Sequence, residues 1–324
     1  MTDIDLSEPA DAHPPPPIPP VASPPPPGSV PAGSTVLSLV EAMAGRLQEA
    51  GVAFGHGTTN AHDEAAWLTL WKLGLPVDAL DEVAASPVSA ERARLVEAVI
   101  EERISTRQPA AYITREAWLQ GVPFYVDERC IVPRSFIAEL LGDPALGMQL
   151  DAWLGADTHH VLDLCTGNGS LAVLAAMAYP EVDVDAADIS PDALDVARIN
   201  VQRHGLGERI RLIASDGLTA LPHRYDLILC NPPYVNANSM AALPQEYRAE
   251  PEIALAGGAD GMDFVRRLLK DAPNHLTPGG VLLLEIGNER EFFEAAFPRL
   301  EAVWMEVSAG ADQVLLVTRE ALGR

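Results

Sequence analysis

The sequence predicts an α/β protein: an open, mainly parallel sheet with helices on both faces, preceded by a small helical domain. Strand-like and helix-like runs alternate from residue 158 to the C-terminus. The strand-like runs are short and apolar, as strands covered on both faces are. Residues 35–110, by contrast, carry apolar residues only at helical spacing.

Residues 1–33 hold 12 of the 28 prolines and no aromatic residue. Such a tail cannot bury enough surface to offset its ordering entropy, so disorder with polyproline II character is expected. Val36, Leu37, Val40, Met43 and Leu47 then mark one helix, and Ala65, Leu68, Trp71 and Leu75 a second. Trp67 and Trp71 read as core. Ser89 is the expected N-cap of a third helix, with Leu95, Val96, Val99 and Ile100 facing inward. The helical domain spans 34–110. A hairpin linker is expected over 111–134, pairing Ala117-Trp118-Leu119 with Phe124-Tyr125-Val126 across Gln120–Pro123. A helix from Ser135 to about Leu141 opens the large domain, 135–324.

In that domain the strand candidates are His160–Leu164, Val182–Ala187, Ile210–Ala214, Tyr225–Cys230, Val281–Ile286, Ala302–Glu306 and Val314–Thr318. Helices are expected at Ser170–Tyr179, Pro191–His204, Gly261–His275 and Glu289–Phe297. Ser190 caps the second, with Pro191 at its first position. The short link between the last two strands implies an antiparallel hairpin at the sheet edge.

Composition limits what the chain can do. Nearly half of its 324 residues (48%) are hydrophobic, enough for a large core. No apolar run is long enough to cross a membrane, and the N-terminus lacks the pattern of a secretory signal. Cys130, Cys165 and Cys230 are far apart and form neither a metal pattern nor a disulfide framework, so no metal and a cytoplasmic setting are expected. The net charge is −24, of which the 1–33 tail carries −4 and the body −20. That field repels duplex nucleic acid and attracts a basic protein.

Four chemical groups fall at carboxyl ends of successive strand candidates, where open α/β sheets bind ligands. The first strand runs through Asp163 into Cys165-Thr166-Gly167-Asn168-Gly169. Its glycines allow a tight turn, and the helix that follows offers free N–H groups to an anion. Asp188 ends the second strand, placed to accept both hydroxyls of a ribose. Asp216, followed by Gly217, ends the third, within reach of an adenine amine. The fourth delivers Asn231-Pro232-Pro233-Tyr234, a stiff polar loop suited to a planar amine on an sp² carbon. A third glycine of the dinucleotide pattern is missing, since Ala172 stands there. The combination therefore suits an adenosine cofactor without a pyrophosphate, and S-adenosyl-L-methionine fits best.

The Asp163–Gly169 motif followed by Asn231–Tyr234 resembles the class I S-adenosylmethionine-dependent amino methyltransferases, whose fold is Rossmann-like with a seven-stranded sheet. From about residue 40 onward the chain is similar to the protein-(glutamine) methyltransferases that act on translation proteins. The likeness includes Ile131-Val132-Pro133-Arg134 and Pro251-Glu252-Ile253-Ala254-Leu255. One branch methylates the Gly-Gly-Gln glutamine of peptide-release factors, the other a glutamine of the third protein of the large ribosomal subunit. Phe124–Arg129, Leu243–Arg248 and Asp260–Arg267 look like the ribosomal-protein branch. Its substrate is basic as a class, which suits an acidic enzyme. The resemblance implies a substrate-recognising role for the helical domain. Asn168, Ser170 and the proline-rich tail depart from the family pattern, and Gly217 stands where relatives often carry a large apolar residue.

As a mechanism, the Asn231 side-chain oxygen and the Pro232 carbonyl are expected to accept the N–H groups of the substrate amide, and Tyr234 to pack on its plane. Arg134 either places substrate or neighbouring loops, or forms a structural salt bridge. Two rivals remain at this level. The clamp equally suits the amine of a nucleic-acid adenine, against which the acidic body argues. A non-catalytic adapter could use the helical domain and tail, against which the intact clamp argues.

Overall fold

The structure is a computed structural model describing residues 34–155 and 157–323. The expected polyproline II tail lies outside the described residues. Five helices come first: α1 (Val36–Glu49), α2 (Ala61–Leu73), α3 (Leu80–Val83), α4 (Ala90–Thr106) and α5 (Ala110–Thr114). Side chains of Thr35, Asn60 and Ser89 cap α1, α2 and α4 by accepting from backbone N–H groups of the first turn. Val40, Leu47, Leu68, Val96 and Ile100 form their common core, with Trp67 and Trp71 packed partly buried against it. Leu95 departs from expectation and is 45% exposed. The buried stripe of α4 is Val96, Val99, Ile100 and Arg103, so Leu95 lies one residue off the face.

The linker hairpin is tighter than expected. β1 (Ala117–Leu119) pairs antiparallel with β2 (Val122–Phe124), so the second strand begins two residues before Phe124. Gln120 and Gly121 both have positive φ, 50° and 72°, as a two-residue I′ turn requires. Closing the turn there draws Val122 and Pro123 into the ribbon. The helix expected from Ser135 is α6 (Ile137–Gly142), and an unforeseen α7 (Pro144–Asp151) follows it. Asp143 caps α7, with Pro144 at its first position.

The sheet domain continues with β3 (His160–Leu164), α8 (Ser170–Ala178), β4 (Asp183–Asp188), α9 (Pro191–Arg203), β5 (Ile210–Ala214), β6 (Tyr225–Cys230), α10 (Ala237–Ala242), α11 (Asp263–His275), β7 (Leu276–Glu285), α12 (Arg290–Ala296), β8 (Val303–Val307), β9 (Gly310–Thr318) and α13 (Arg319–Leu322). Strand order is β5-β4-β3-β6-β7-β9-β8. The first five are parallel, and β9 runs antiparallel to both of its neighbours. The period-2 rule sorts the strand side chains. Val161, Leu227, Leu229 and Leu283 pack with α6, α7 and α8 on one face. Leu162, Leu164, Ile228, Leu282 and Leu284 pack with α11 and α12 on the other.

Register brings the ends of these strands into line. Leu164 lies beside Ala187 and Cys230, Asp188 beside Ala214, and Cys230 beside Leu284. Cys165, Asp188, Ser215, Asn231 and Glu285 therefore emerge along one edge, at the point where strand order reverses. Among the described residues, no helix is long and apolar enough to cross a membrane.

Candidate active site

The loop after β3 turns through left-handed backbone at Cys165, Gly167 and Gly169, with φ of 62°, 55° and 81°. A side chain at Gly169 would press on Ala197, its Cβ only 3.1 Å from the alanine Cβ, so glycine lets α8 start directly against α9. Cys165 is the exception, since left-handed backbone costs a non-glycine residue roughly 1–2 kcal/mol. Asp163 braces this turn from behind. It is fully buried, and one carboxylate oxygen accepts from the Ala172 amide (2.9 Å) and the Thr166 hydroxyl (2.5 Å). Burial pushes its carboxyl up to about 7 against the pull of those two bonds. Asn168 is also buried, and its backbone carbonyl accepts from Asn200 at 2.8 Å.

Asp188 closes the turn from the front. Its two oxygens accept from the Gly167 and Ser190 amides, each at 2.9 Å. Burial raises its carboxyl, and these backbone bonds pull it back. A cavity of about 310 Å³ opens beside it, lined among others by Cys165, Gly167, Asp188, Asp216, Gly217, Asn231 and Pro233. That volume lies within the range of small-ligand sites, about 300–1,000 Å³. The lining fits a nucleoside cofactor. Each Asp188 oxygen has one such bond and keeps further acceptor capacity for a hydroxyl. Space at Gly217 is left open towards Phe264, whose ring lies 3.9 Å from where a Cβ would stand. Asp216 faces Arg267 at 3.1 Å in an exposed pair, worth under about 1 kcal/mol.

Asn231 and Pro233 line this cavity, whereas Pro232 is buried and Tyr234 is not among its lining residues. The Tyr234 hydroxyl donates to Glu285 at 3.3 Å. Its ring lies where a side chain at Gly287 would be, and its backbone is crowded by Gly257 and Gly261. Beyond it, Val235 donates to the Leu255 carbonyl and accepts from the Gly257 amide, each at 2.9 Å.

Arg134 is committed to a salt bridge, one of the two roles open in the sequence. It binds both oxygens of Glu250 at 2.6 and 2.7 Å, and its guanidinium lies 5.4 Å from the Tyr247 ring. Burial pushes Glu250 up, but His56 and Arg134 outweigh it and hold the carboxyl at about 2. Glu246, on the same segment, accepts from the Ala53 amide at 3.0 Å and from Arg107 at 3.3 Å. Segment 243–252 is thus a strap latched to the helical bundle. It leads into Pro251, Ile253 and Ala254, which line the cavity.

The arrangement joins a nucleoside-sized cavity to a polar clamp on one sheet edge. A family model for the methyltransferase small domain matches residues 145–246. The ribosomal protein uL3 glutamine methyltransferase of Bordetella pertussis is 52% identical over 290 residues, covering 89% of this chain and 96% of that protein. Its counterpart in Burkholderia pseudomallei is 53% identical over 291 residues, covering 87% and 94%. That of Neisseria meningitidis serogroup B is 50% identical over 292 residues, covering 89% and 94%. The chain belongs to the uL3 glutamine methyltransferase family. Membership agrees with the resemblance to the ribosomal-protein branch, and the strand order with the expected seven-stranded sheet.

The cavity of this family member is also lined by residues that sequence reasoning did not assign to it. Phe264 and Arg267 come from the first turns of α11, and Ile253 and Ala254 from the segment just after the strap. Ile253 and Ala254 lie in the quoted Pro251–Leu255 segment, and Phe264 and Arg267 in the quoted Asp260–Arg267 segment. Glu285 carried its own signal, an acid ending the apolar run Val281–Leu284.

Proposed function

We propose that this chain transfers the methyl group of S-adenosylmethionine to the side-chain amide nitrogen of a glutamine in ribosomal protein uL3. The observation that carries this reading is one cavity shared by Asp188, Gly167 and Asn231. It is supported by some 50% identity to proteins named for that reaction, over nearly the whole chain.

Asp188 accepts the ribose hydroxyls, Gly167 lets the cofactor approach the backbone, and Gly217 with Phe264 leaves room for the base. When bound, S-adenosylmethionine supplies a methyl group made electrophilic by its sulfonium. The protein supplies position, because an amide nitrogen is a poor nucleophile whose lone pair is drawn into the carbonyl. The Asn231 side-chain oxygen and the Pro232 carbonyl each accept one amide N–H. They orient the nitrogen and stabilise the positive charge that develops on it. Tyr234 holds the loop that presents them. The proton leaves after the methyl arrives, when the nitrogen is cationic and acidic, so no strong base is needed. The helical bundle and its strap recognise the substrate, and the acidic body favours the approach of a basic protein.

Incubation with labelled S-adenosylmethionine and uL3, release factor or ribosomal RNA tests the reading. Mass spectrometry should place one methyl group on a uL3 glutamine. Label on release factor alone would move the chain to the other branch, and label on RNA would replace the amide by a nucleobase amine.

A further inference from the structure

The clamp loop is held by a buried carboxylate that the transfer step does not use. Glu285 ends β7 and is 1% exposed. Its Oε1 accepts from the Tyr234 hydroxyl at 3.3 Å. Its Oε2 accepts from the Ser135 hydroxyl at 2.6 Å and the Phe136 amide at 2.9 Å. One side chain therefore joins three places: the end of β7, the segment just after Arg134, and the last residue of the clamp. Gly287 leaves the space that the Tyr234 ring fills. Two residues further on, Asn236 donates to Glu289 at 2.8 Å, so the loop is tied down twice, by the end of β7 and by the segment that follows it.

A buried carboxyl group is costly to keep without hydrogen-bond partners, and burial pushes this one up to about 7. This carboxylate keeps donors on both oxygens, and one is the only polar atom of the Tyr234 side chain. From this geometry we propose that Glu285 is a positioning residue for methyl transfer, fixing through Tyr234 the orientation in which Asn231 and Pro232 meet the substrate amide. It touches neither substrate nor cofactor. The inference rests on the proposed glutamine methylation, so its test includes a readout that needs no substrate.

Tyr234→Phe removes a single oxygen and is the gentlest probe. Glu285→Gln keeps the shape and replaces the carboxyl by an amide, and the double variant closes the cycle. On uL3, each single change should lower kcat about 2- to 10-fold, as loss of one ordinary hydrogen bond does. Cofactor affinity by calorimetry should stay within about twofold, and the double variant should fall no further than the worse single one. Without substrate, hydrogen exchange at Val235, whose amide bonds Leu255, should quicken to the same degree in all three variants. Multiplying losses, wild-type kcat in Tyr234→Phe, or unchanged exchange would each overturn the proposal. If the wild type does not label uL3, the function reading fails, and exchange alone decides whether Glu285 holds the loop. Should Glu285→Gln fail to fold, Tyr234→Phe still decides, by its kcat and by its exchange at Val235.

Discussion

The two halves of the sheet's carboxyl edge are built by different means. On the β3–β4–β5 half, residues 163–217 supply the loop and its polar groups: left-handed turns, an internal brace at Asp163, and Asp188 bonded to neighbouring amides. On the β6–β7 half, four consecutive residues are held in place by distant ones. Gly257, Gly261, Glu285 and Gly287 surround Tyr234, and the strap's Glu246 and Glu250 reach Ala53, Arg107, Val132 and Arg134. The Asp188 loop is thus a largely local construction, whereas the Asn231–Tyr234 loop is a tertiary one. Damage to the latch should harm the second and spare the first.

The largest effect is expected in the latch. Arg103 is fully buried, donates to Glu64 at 2.8 Å and to the Ala53 carbonyl at 2.9 Å, and lies 3.5 Å from Glu246. Arg103→Ala should lower stability by about 3–5 kcal/mol, because it leaves the buried Glu64 carboxylate without its cation. Denaturant unfolding measures this, and calorimetry on the folded protein should find cofactor affinity unchanged. An affinity that falls with stability would mean that the halves are not separable. On the local side, Asp188→Ala should weaken S-adenosylmethionine binding by about 1.5–3 kcal/mol, the worth of hydrogen bonds to a charged group. Unchanged affinity would remove Asp188 from the site. The smallest effect belongs to Leu95→Gln. Because Leu95 is 45% exposed, its replacement should move stability by less than about 0.5 kcal/mol. A thermal melt showing a larger loss would mean that this face of α4 is covered in solution.

The same contrast explains what was legible in the sequence. Strands β3, β5 and β6 have the residue bounds read from their apolar runs, and Ser190 caps α9 as its position implies. The cofactor half is contiguous, so its groups could be named from spacing alone. The acceptor half was legible only where it is local, at Asn231 to Tyr234. That Tyr234 bonds Glu285 depends on where β7 ends in space, which no spacing reveals. Leu95 was misplaced for a related reason. Arg103 completes the buried stripe of α4, and a charged residue at an inward position is visible only once Glu64 and Glu246 are seen to meet it. The hairpin slipped by two residues because Gln120, a non-glycine residue, accepts positive φ beside Gly121.

The most direct test of this division compares Asp188→Ala with Asn231→Ala for turnover on uL3 as S-adenosylmethionine is raised to saturation. Asp188→Ala should regain most of the wild-type rate once the cofactor is saturating. Asn231→Ala should remain roughly 10² to 10³ below it, the loss typical of one preorganised polar group. Recovery of both variants at high cofactor, or of neither, would contradict the account.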